Sequence, residues 1–366
     1  MKVICTQENL KQGLLIVGRI ISSNNTLPVL NNILLRTENG LLNISSTNLE
    51  IAITTHIRCK IEEEGETTVL AKTIIELINN LPNQNINIET ISGELKIEAE
   101  NYHTSIKTIS SEEFPLIPNL EKIKTFSLKS DEIKNSINQV VYAASKNQTQ
   151  PELSGVLFKI EGEELKIVAT DRYRLAEKTI PITKKDTEDQ SLIIPQKTVI
   201  ELSRIIGNKD QLVEMVSNDS QVSFEVGGTK IISRLVEGQY PDYTQIIPSG
   251  FPVKISTKKQ TLVEALKASG IFSQNNNSVK LEYNSEQQKL VLSAESQDLG
   301  KSLVELDAKV EGGSGAVILN NHYVLDCLPG IESEEVEIKI VDDNSPSLIT
   351  PAGKNDYIYL VMPIKS

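Results

Sequence analysis

The sequence predicts an α+β protein made of three tandem copies of one module, each an antiparallel sheet with two helices on one side. Three observations lead there. A first pattern recurs: MKVICTQENLKQGLLIVGRIIS opens the chain, TFSLKSDEIKNSINQVVYAAS begins near Thr125, and VKISTKKQTLVEALKASGIFS begins near Val253. Each run is a short alternating strand, a polar helix start and then apolar residues at helical period. A second pattern lies between these: TTVLAKTIIELINNLP, LIIPQKTVIELSRIIG and AVILNNHYVLDCLPGI align without gaps as strand, turn and short helix. The offset between matching positions is roughly 120–130 residues, the size of a single domain. The modules are therefore expected at residues 1–122, 123–248 and 249–366.

Taken in order, the first helix has Thr6 as its expected N-cap and an apolar stripe of Leu10, Leu14, Val17 and Ile21. In the second module Ser130 is the expected cap, and Ile133, Ile137, Val140 and Ala144 repeat the stripe. In the third, Thr257 or Lys258 opens the helix, with Leu262, Ala265, Leu266 and Ser269 facing inward. Runs such as LLNISSTN, LKIVATD, KLVLSAES and VEIKIVDD alternate as half-buried antiparallel strands do. Gly227–Gly228 and Gly312–Gly313 read as hairpin turns. EEFPLIP (Glu112–Pro118) and GQYPDYTQIIP (Gly238–Pro248) are extended, proline-broken exits from the first two modules.

Composition narrows the function. Hydrophobic residues make up 39% of the 366 positions and charged residues 23%, as in a soluble globular protein. No apolar run approaches the ~18 residues that span a bilayer, and MKVICTQENL lacks the basic and apolar regions of a secretory signal. Cys5, Cys59 and Cys327 are odd in number and widely spaced, which argues for a reducing cytoplasm over a disulfide framework. The net charge of −12 argues against a tight phosphate grip unless the cations gather on one surface.

No chemical constellation of an enzyme is present. His56, His103 and His322 are isolated from one another, with no metal-ligand spacing. There is no phosphate loop, no GxGxxG opening a helix and no GxSxG elbow. The acidic clusters at Glu62–Glu64, Glu161–Glu164 and Glu332–Glu335 sit in turns and read as solvated surface, while Asp171 reads as a turn former. The expectation is no catalysis, no cofactor and no metal.

Four segments carry a family resemblance: ATDRYRLA (Ala169–Ala176), TLPVLNNILL (Thr26–Leu35), LVEGQYPDYTQIIP (Leu235–Pro248) and YLVMPIK (Tyr359–Lys365). Their order and spacing resemble those of the bacterial sliding clamps, the beta subunits of DNA polymerase III, and the resemblance runs from Met1 to Ser366. It implies a head-to-tail homodimer of three-module chains, closed into a ring around double-stranded DNA with the helices inside and the sheets outside. Such a ring holds DNA by shape, so an acidic exterior and a modest set of inner cations suffice. Its implied partners are DNA, the replicative DNA polymerase, the clamp loader, and other polymerases and repair proteins bound through short peptide motifs. No membrane partner is implied. The alternative is a ring or crescent scaffold of the same fold that binds proteins without encircling DNA.

The resemblance also assigns residues. Leu153, Thr170, Leu175, Pro241, Ile246, Leu360, Met362 and Ile364 would wall a client-peptide pocket, with Arg172, Tyr173, Arg174 and Tyr323 on its rim. Lys11, Arg19, Lys72, Lys134, Lys197 and Arg204 would face DNA, with Lys258, Lys259 and Lys267 on the third helix run. Thr104 and Ile106, within Thr104–Thr108, would meet Ile271 and Phe272 of a second subunit. The chain departs from the family pattern at several places. Arg172-Tyr173 stands where many relatives have Gly-His, Pro151-Glu152 where an aromatic pair is frequent, Asn24-Asn25 where a basic residue is common, and Gln196 beside Lys197.

Overall fold

The structure is a computed structural model that describes residues 1–22, 27–120, 124–147, 149–186, 188–207, 210–273 and 277–365, with the backbone alone at Lys124 and Lys185. Asn24, Asn25 and the expected module boundary at 122/123 lie outside the described residues. The chain divides into two compact units. One comprises Met1–Asp131, Thr183–Thr187 and Arg204–Leu235; the other comprises Glu132–Ile182, Glu188–Ser203 and Val236–Ser366.

In the first unit, fourteen strands form one continuous antiparallel sheet. Nine come from the first third of the chain and five from the middle third: Lys124–Lys129, Leu212–Ser217, Gln221–Val226, Thr229–Arg234 and, at the edge, Lys184–Asp186. The join is the strand Ile51–Arg58 against Thr229–Arg234, in register from Ile51↔Ser233 to Thr55↔Thr229. Thr55 and Thr229 seal it with a buried hydroxyl pair at 2.9 Å.

Two helices, Gln7–Val17 and Ala71–Asn80, belong to this unit. Thr6 caps the first by accepting from the Asn9 N–H, as expected. Leu10, Leu14 and Val17 are buried, but Ile21 is only half-buried. The helix tightens to a 3-10 turn over Gly18–Ile20, and the change of period turns Ile20 into the core in its place. Gly13 lets the helix lie close to the sheet, because a Cβ there would meet Ile44 Cδ1 at 2.7 Å and Ile44 would have to shift.

The second unit holds a nine-stranded and a four-stranded antiparallel sheet. In the larger, Arg174–Pro181 pairs with Tyr357–Val361, from Arg174↔Val361 to Lys178↔Tyr357. Ile133, Ile137, Val140 and Ala144 are buried in this unit, as are Leu262, Ala265, Leu266 and Ser269. Ser130 is the first residue of the helix Ser130–Val140, and its hydroxyl accepts from the Gln211 N–H. Lys258 precedes the helix Lys259–Gly270 without a side-chain cap, and Thr257 instead donates to the Asp307 carbonyl.

Gly227 and Gly228, with φ of 57° and 78°, form the expected hairpin turn between Val226 and Thr229. Gly312 does not. The strand Lys309–Glu311 pairs with Val253–Lys258, whereas Gly315–Asn320 pairs with Ser278–Asn284, so the glycine joins two different sheets. A Cβ at Gly312 would lie 2.1 Å from the Pro252 carbonyl oxygen.

Candidate peptide-docking site

The residues expected in the pocket all fall in the second unit, around the turn between the strands Glu164–Thr170 and Arg174–Pro181. The turn is built by side chains. Asp171 Oδ1 accepts from the N–H groups of Tyr173 and Arg174, each at 3.0 Å. Thr170 donates to the Arg174 carbonyl at 2.7 Å and accepts from the Arg172 N–H at 3.2 Å. The geometry puts Arg172 in the left-handed region at φ 78°, where a non-glycine residue is strained. Arg172 and Tyr173 are thereby left exposed.

Beneath the turn, Leu153, Leu175 and Leu360 pack with Leu157, Val168, Ile193, Tyr240, Tyr243 and Leu348. Leu175 and Leu360 are direct cross-strand partners. The C-terminal segment continues the pairing: the Met362 N–H donates to the Tyr173 carbonyl at 2.8 Å, and the Ile364 N–H to the Ile318 carbonyl at 2.8 Å. Met362, Ile364 and Tyr323 are half-buried, while Pro241 and Ile246 are exposed. The expected wall thus has a closed floor of leucines and an accessible margin of Pro241, Ile246, Met362 and Ile364.

Arg174, expected on the rim, lies below it. Its guanidinium is buried, bonding Asp171 Oδ2 at 3.0 Å, the Asp326 carboxylate and the Tyr142 carbonyl at 2.9 Å. It also lies 4.4 Å from the centre of the Tyr323 ring, a cation–π contact. Burial disfavours its charge, but Tyr359, Asp326 and Asp171 outweigh that and hold its pKa above the usual value. Arg174 therefore fixes the turn to the helix Asn321–Cys327, with each of its three nitrogens bonded inside the protein. The sequence signal that could have shown this is Asp171 three residues ahead, which forms both the turn and half of the ion pair.

A tyrosine group sits behind the arginine. Tyr359 donates to the Tyr323 carbonyl at 2.8 Å, Tyr142 and Tyr357 share a hydroxyl contact at 2.7 Å, and burial pushes all three phenols up. They remain neutral and act as scaffold. Sequence reading missed this layer, along with the buried Tyr240 and Tyr243 of the leucine cluster, because lone tyrosines carry no periodic signal.

The cations expected to face DNA are distributed over the helices. Arg19, Lys72, Lys197 and Arg204 are exposed, and Lys11 and Lys134 half-buried. Arg204 and Lys134 have partners of their own. At the expected subunit seam, the strand Tyr102–Ile109 pairs with Glu94–Ala99 along its length but with Glu66–Leu70 only at Thr108 and Ile109. Its other edge, including Thr104 and Ile106, has no strand partner among the described residues. Ile271 is exposed and Phe272 half-buried. The strand Gly300–Asp307 is one edge of the four-stranded sheet, and its exposed Leu303 is a candidate the sequence reading did not name.

Among the described residues no three His, Cys, Asp or Glu side chains are grouped to hold a metal, and no helix is long and apolar enough to cross a membrane.

Against known proteins, three family models match in succession: the DNA polymerase III beta subunit N-terminal domain at residues 1–118, its central domain at 127–242 and its C-terminal domain at 244–365. A beta sliding clamp of Synechocystis sp. is 31% identical over 100% of this chain and 99% of its own. The chain belongs to the DNA polymerase III beta-subunit family. A beta sliding clamp of Staphylococcus aureus is 28% identical over 95% of both chains. The fold agrees: the DNA polymerase III beta subunit from Pseudomonas aeruginosa superposes with a TM-score of 0.96 at 27% identity over 100% of both chains. The sliding clamp from Bacillus subtilis gives 0.96 at 26% identity, over 100% of this chain and 99% of that one. Membership explains the absence of any catalytic constellation, because the family is one of non-catalytic processivity factors.

Proposed function

We propose that the chain is a DNA sliding clamp that tethers the replicative polymerase to its template. The observation that carries this is the succession of three beta-subunit domains along one chain, on a thrice-repeated α+β plan. A tether held by encirclement needs no tight phosphate grip, which agrees with the net charge of −12. Exposed Lys72, Lys197 and Arg19 provide the local positive potential for a sliding duplex. The chain acts in the cytoplasm, and its modules divide near residues 122 and 248.

Closure requires a second copy. The free edge at Tyr102–Lys107 and the edge strand Gly300–Asp307 are unpaired association surfaces, and a head-to-tail homodimer would cover both in each subunit. Ile271, Phe272 and Leu303 would add apolar contact. Clients, among them polymerases, the clamp loader and repair proteins, would dock through short extended peptides on the margin of Pro241, Ile246, Met362 and Ile364. Met362 adapts to different anchors because its thioether chain is flexible.

The decisive experiment loads the protein, with its clamp loader, onto nicked circular DNA. Retention on the circle and loss on linearisation are expected; retention that ignores linearisation would instead support the protein-binding scaffold. For the pocket, Met362→Ala is expected to weaken a glutamine-leucine-phenylalanine-type peptide by roughly 1–3 kcal/mol in isothermal titration. Unchanged affinity would move the pocket elsewhere. Leu175→Ala is a poor probe, because removing a buried leucine costs about 2–5 kcal/mol of stability by itself.

A further inference from the structure

The turn that organises the client site has a twin in the first unit. Leu30–Ile57 aligns with Leu153–Ile180 without a gap. Asn48 stands where Asp171 does, and its Oδ1 accepts from the Glu50 and Ile51 N–H groups at 3.0 and 2.8 Å. Thr47 stands for Thr170, donating to the Ile51 carbonyl and accepting from the Leu49 N–H. Leu49 stands for Arg172, with φ 73° against 78°. The strand partner is matched as well. Ala52 faces Ile232 as Leu175 faces Leu360, and the Arg234 N–H donates to the Glu50 carbonyl at 3.0 Å as Met362 does to Tyr173. The proline-broken segments then cross at corresponding places, Phe114-Pro115 in one unit and Tyr240-Pro241 in the other.

In the first unit this architecture leaves an open groove of about 270 Å³, bounded by Leu49, Glu50, Ala52, Leu116, Ile232 and Arg234. Its shape follows from one exchange and one stiff wall. Alanine replaces leucine on the floor at Ala52, which deepens it, and Pro115 and Pro118 stiffen a wall that holds Leu116 at 96% exposure. The volume is below the usual range for small-molecule sites and suits one aliphatic anchor. The rim chemistry differs from the client site. Arg234 replaces Met362 and is exposed, with no ion pair among the described residues, while Glu50 replaces Tyr173.

We propose that this groove is a second peptide-docking site, for an extended segment of a partner protein in which an aliphatic side chain adjoins a carboxylate. The aliphatic group occupies the space above Ala52 and Ile232, against Leu49 and Leu116, and the carboxylate pairs with Arg234. Glu50 opposes acidic ligands, so Arg234 carries the selectivity. The inference rests on the client-site reading for the kind of ligand, but on different residues for its contacts.

The test uses the full-length protein and a fluorescein-labelled peptide, acetyl-Ala-Asp-Leu-Ala-Ala-amide, followed by anisotropy. Arg234→Glu and Leu116→Asp change exposed side chains and should leave the melting temperature in place. Each is expected to weaken the probe at least tenfold, as should Asn for Asp in the peptide, while Glu50→Gln tightens it. Binding should survive both Met362→Ala and an excess of the glutamine-leucine-phenylalanine-type peptide. Loss of the probe to that competitor, indifference to Arg234→Glu and Leu116→Asp, or no binding at millimolar protein would overturn the proposal. Failure of the client site itself would appear separately, in the response of the competitor peptide to Met362→Ala.

Discussion

At the level of single residues, the arginine of the 170–175 turn is the most consequential. Arg174 bonds two carboxylates and a carbonyl and stacks on Tyr323. Arg174→Met would leave half-buried Asp171 and the Tyr142 carbonyl short of donors. Because Asp326 is partly solvated, the expected cost is about 2 kcal/mol, read as a fall in the urea midpoint. Arg174→Lys should recover little, since an ammonium cannot serve three diverging acceptors. The thiols give a pH-dependent readout. Burial, and secondarily Cys59, pushes Cys5 up to about 12 from 9.0, so at pH 8 it stays a protonated, unreactive thiol. Native protein should alkylate at Cys59 well before Cys5 or Cys327, and peptide mapping would check the order. Because the native state holds the Cys5 proton longer than the unfolded chain does, stability should decline as pH climbs from about 9 to 12.

At the level of elements, the two equivalent turns make a prediction about strain. Leu49 and Arg172 hold φ of 73° and 78° only because the Asn48 and Asp171 bonds around them fix the backbone. Arg172→Gly should therefore raise the melting temperature, or at least preserve it, while Arg172→Val should lower stability by about 1–2 kcal/mol. A valine variant as stable as the parent would show that the turn relaxes. Much of this level was legible in the sequence, because helices and strands bury residues at fixed periods. The stripes Leu10-Leu14-Val17 and Ile133-Ile137-Val140 needed only counting. What was not legible depended on distant partners. Ile21 looks buried until the helix tightens at Gly18, and Gly312 looks like a hairpin until its two strands enter different sheets. Arg174 illustrates the same limit in the candidate site: nothing in ATDRYRLA shows that Asp326 and Tyr142 converge on it.

For the molecule as a whole, the prediction concerns assembly. If two copies close through the edges at Tyr102–Lys107 and Gly300–Asp307, an aspartate at Leu303 or Ile271 sets a desolvated charge against an apolar seam. Either variant should sediment as a monomer at micromolar concentration, keep its helix and strand content, and lose retention on nicked circles. A dimer that tolerates both changes would place the seam elsewhere. Salt offers a second check. A ring retained by topology should keep its hold on circular DNA at ionic strengths that strip a protein bound through phosphate contacts alone.

The hydroxyl pair of Thr55 and Thr229 joins positions 174 apart in the chain. During synthesis, the strand Ile51–Arg58 therefore leaves the ribosome with a bare edge that nothing can cover until Thr229–Arg234 follows. At about 5–20 residues per second, that interval is roughly 10–35 s. The nascent first third is exposed to mispairing for all of it, so chaperone dependence should be greatest for chains stalled before residue 229.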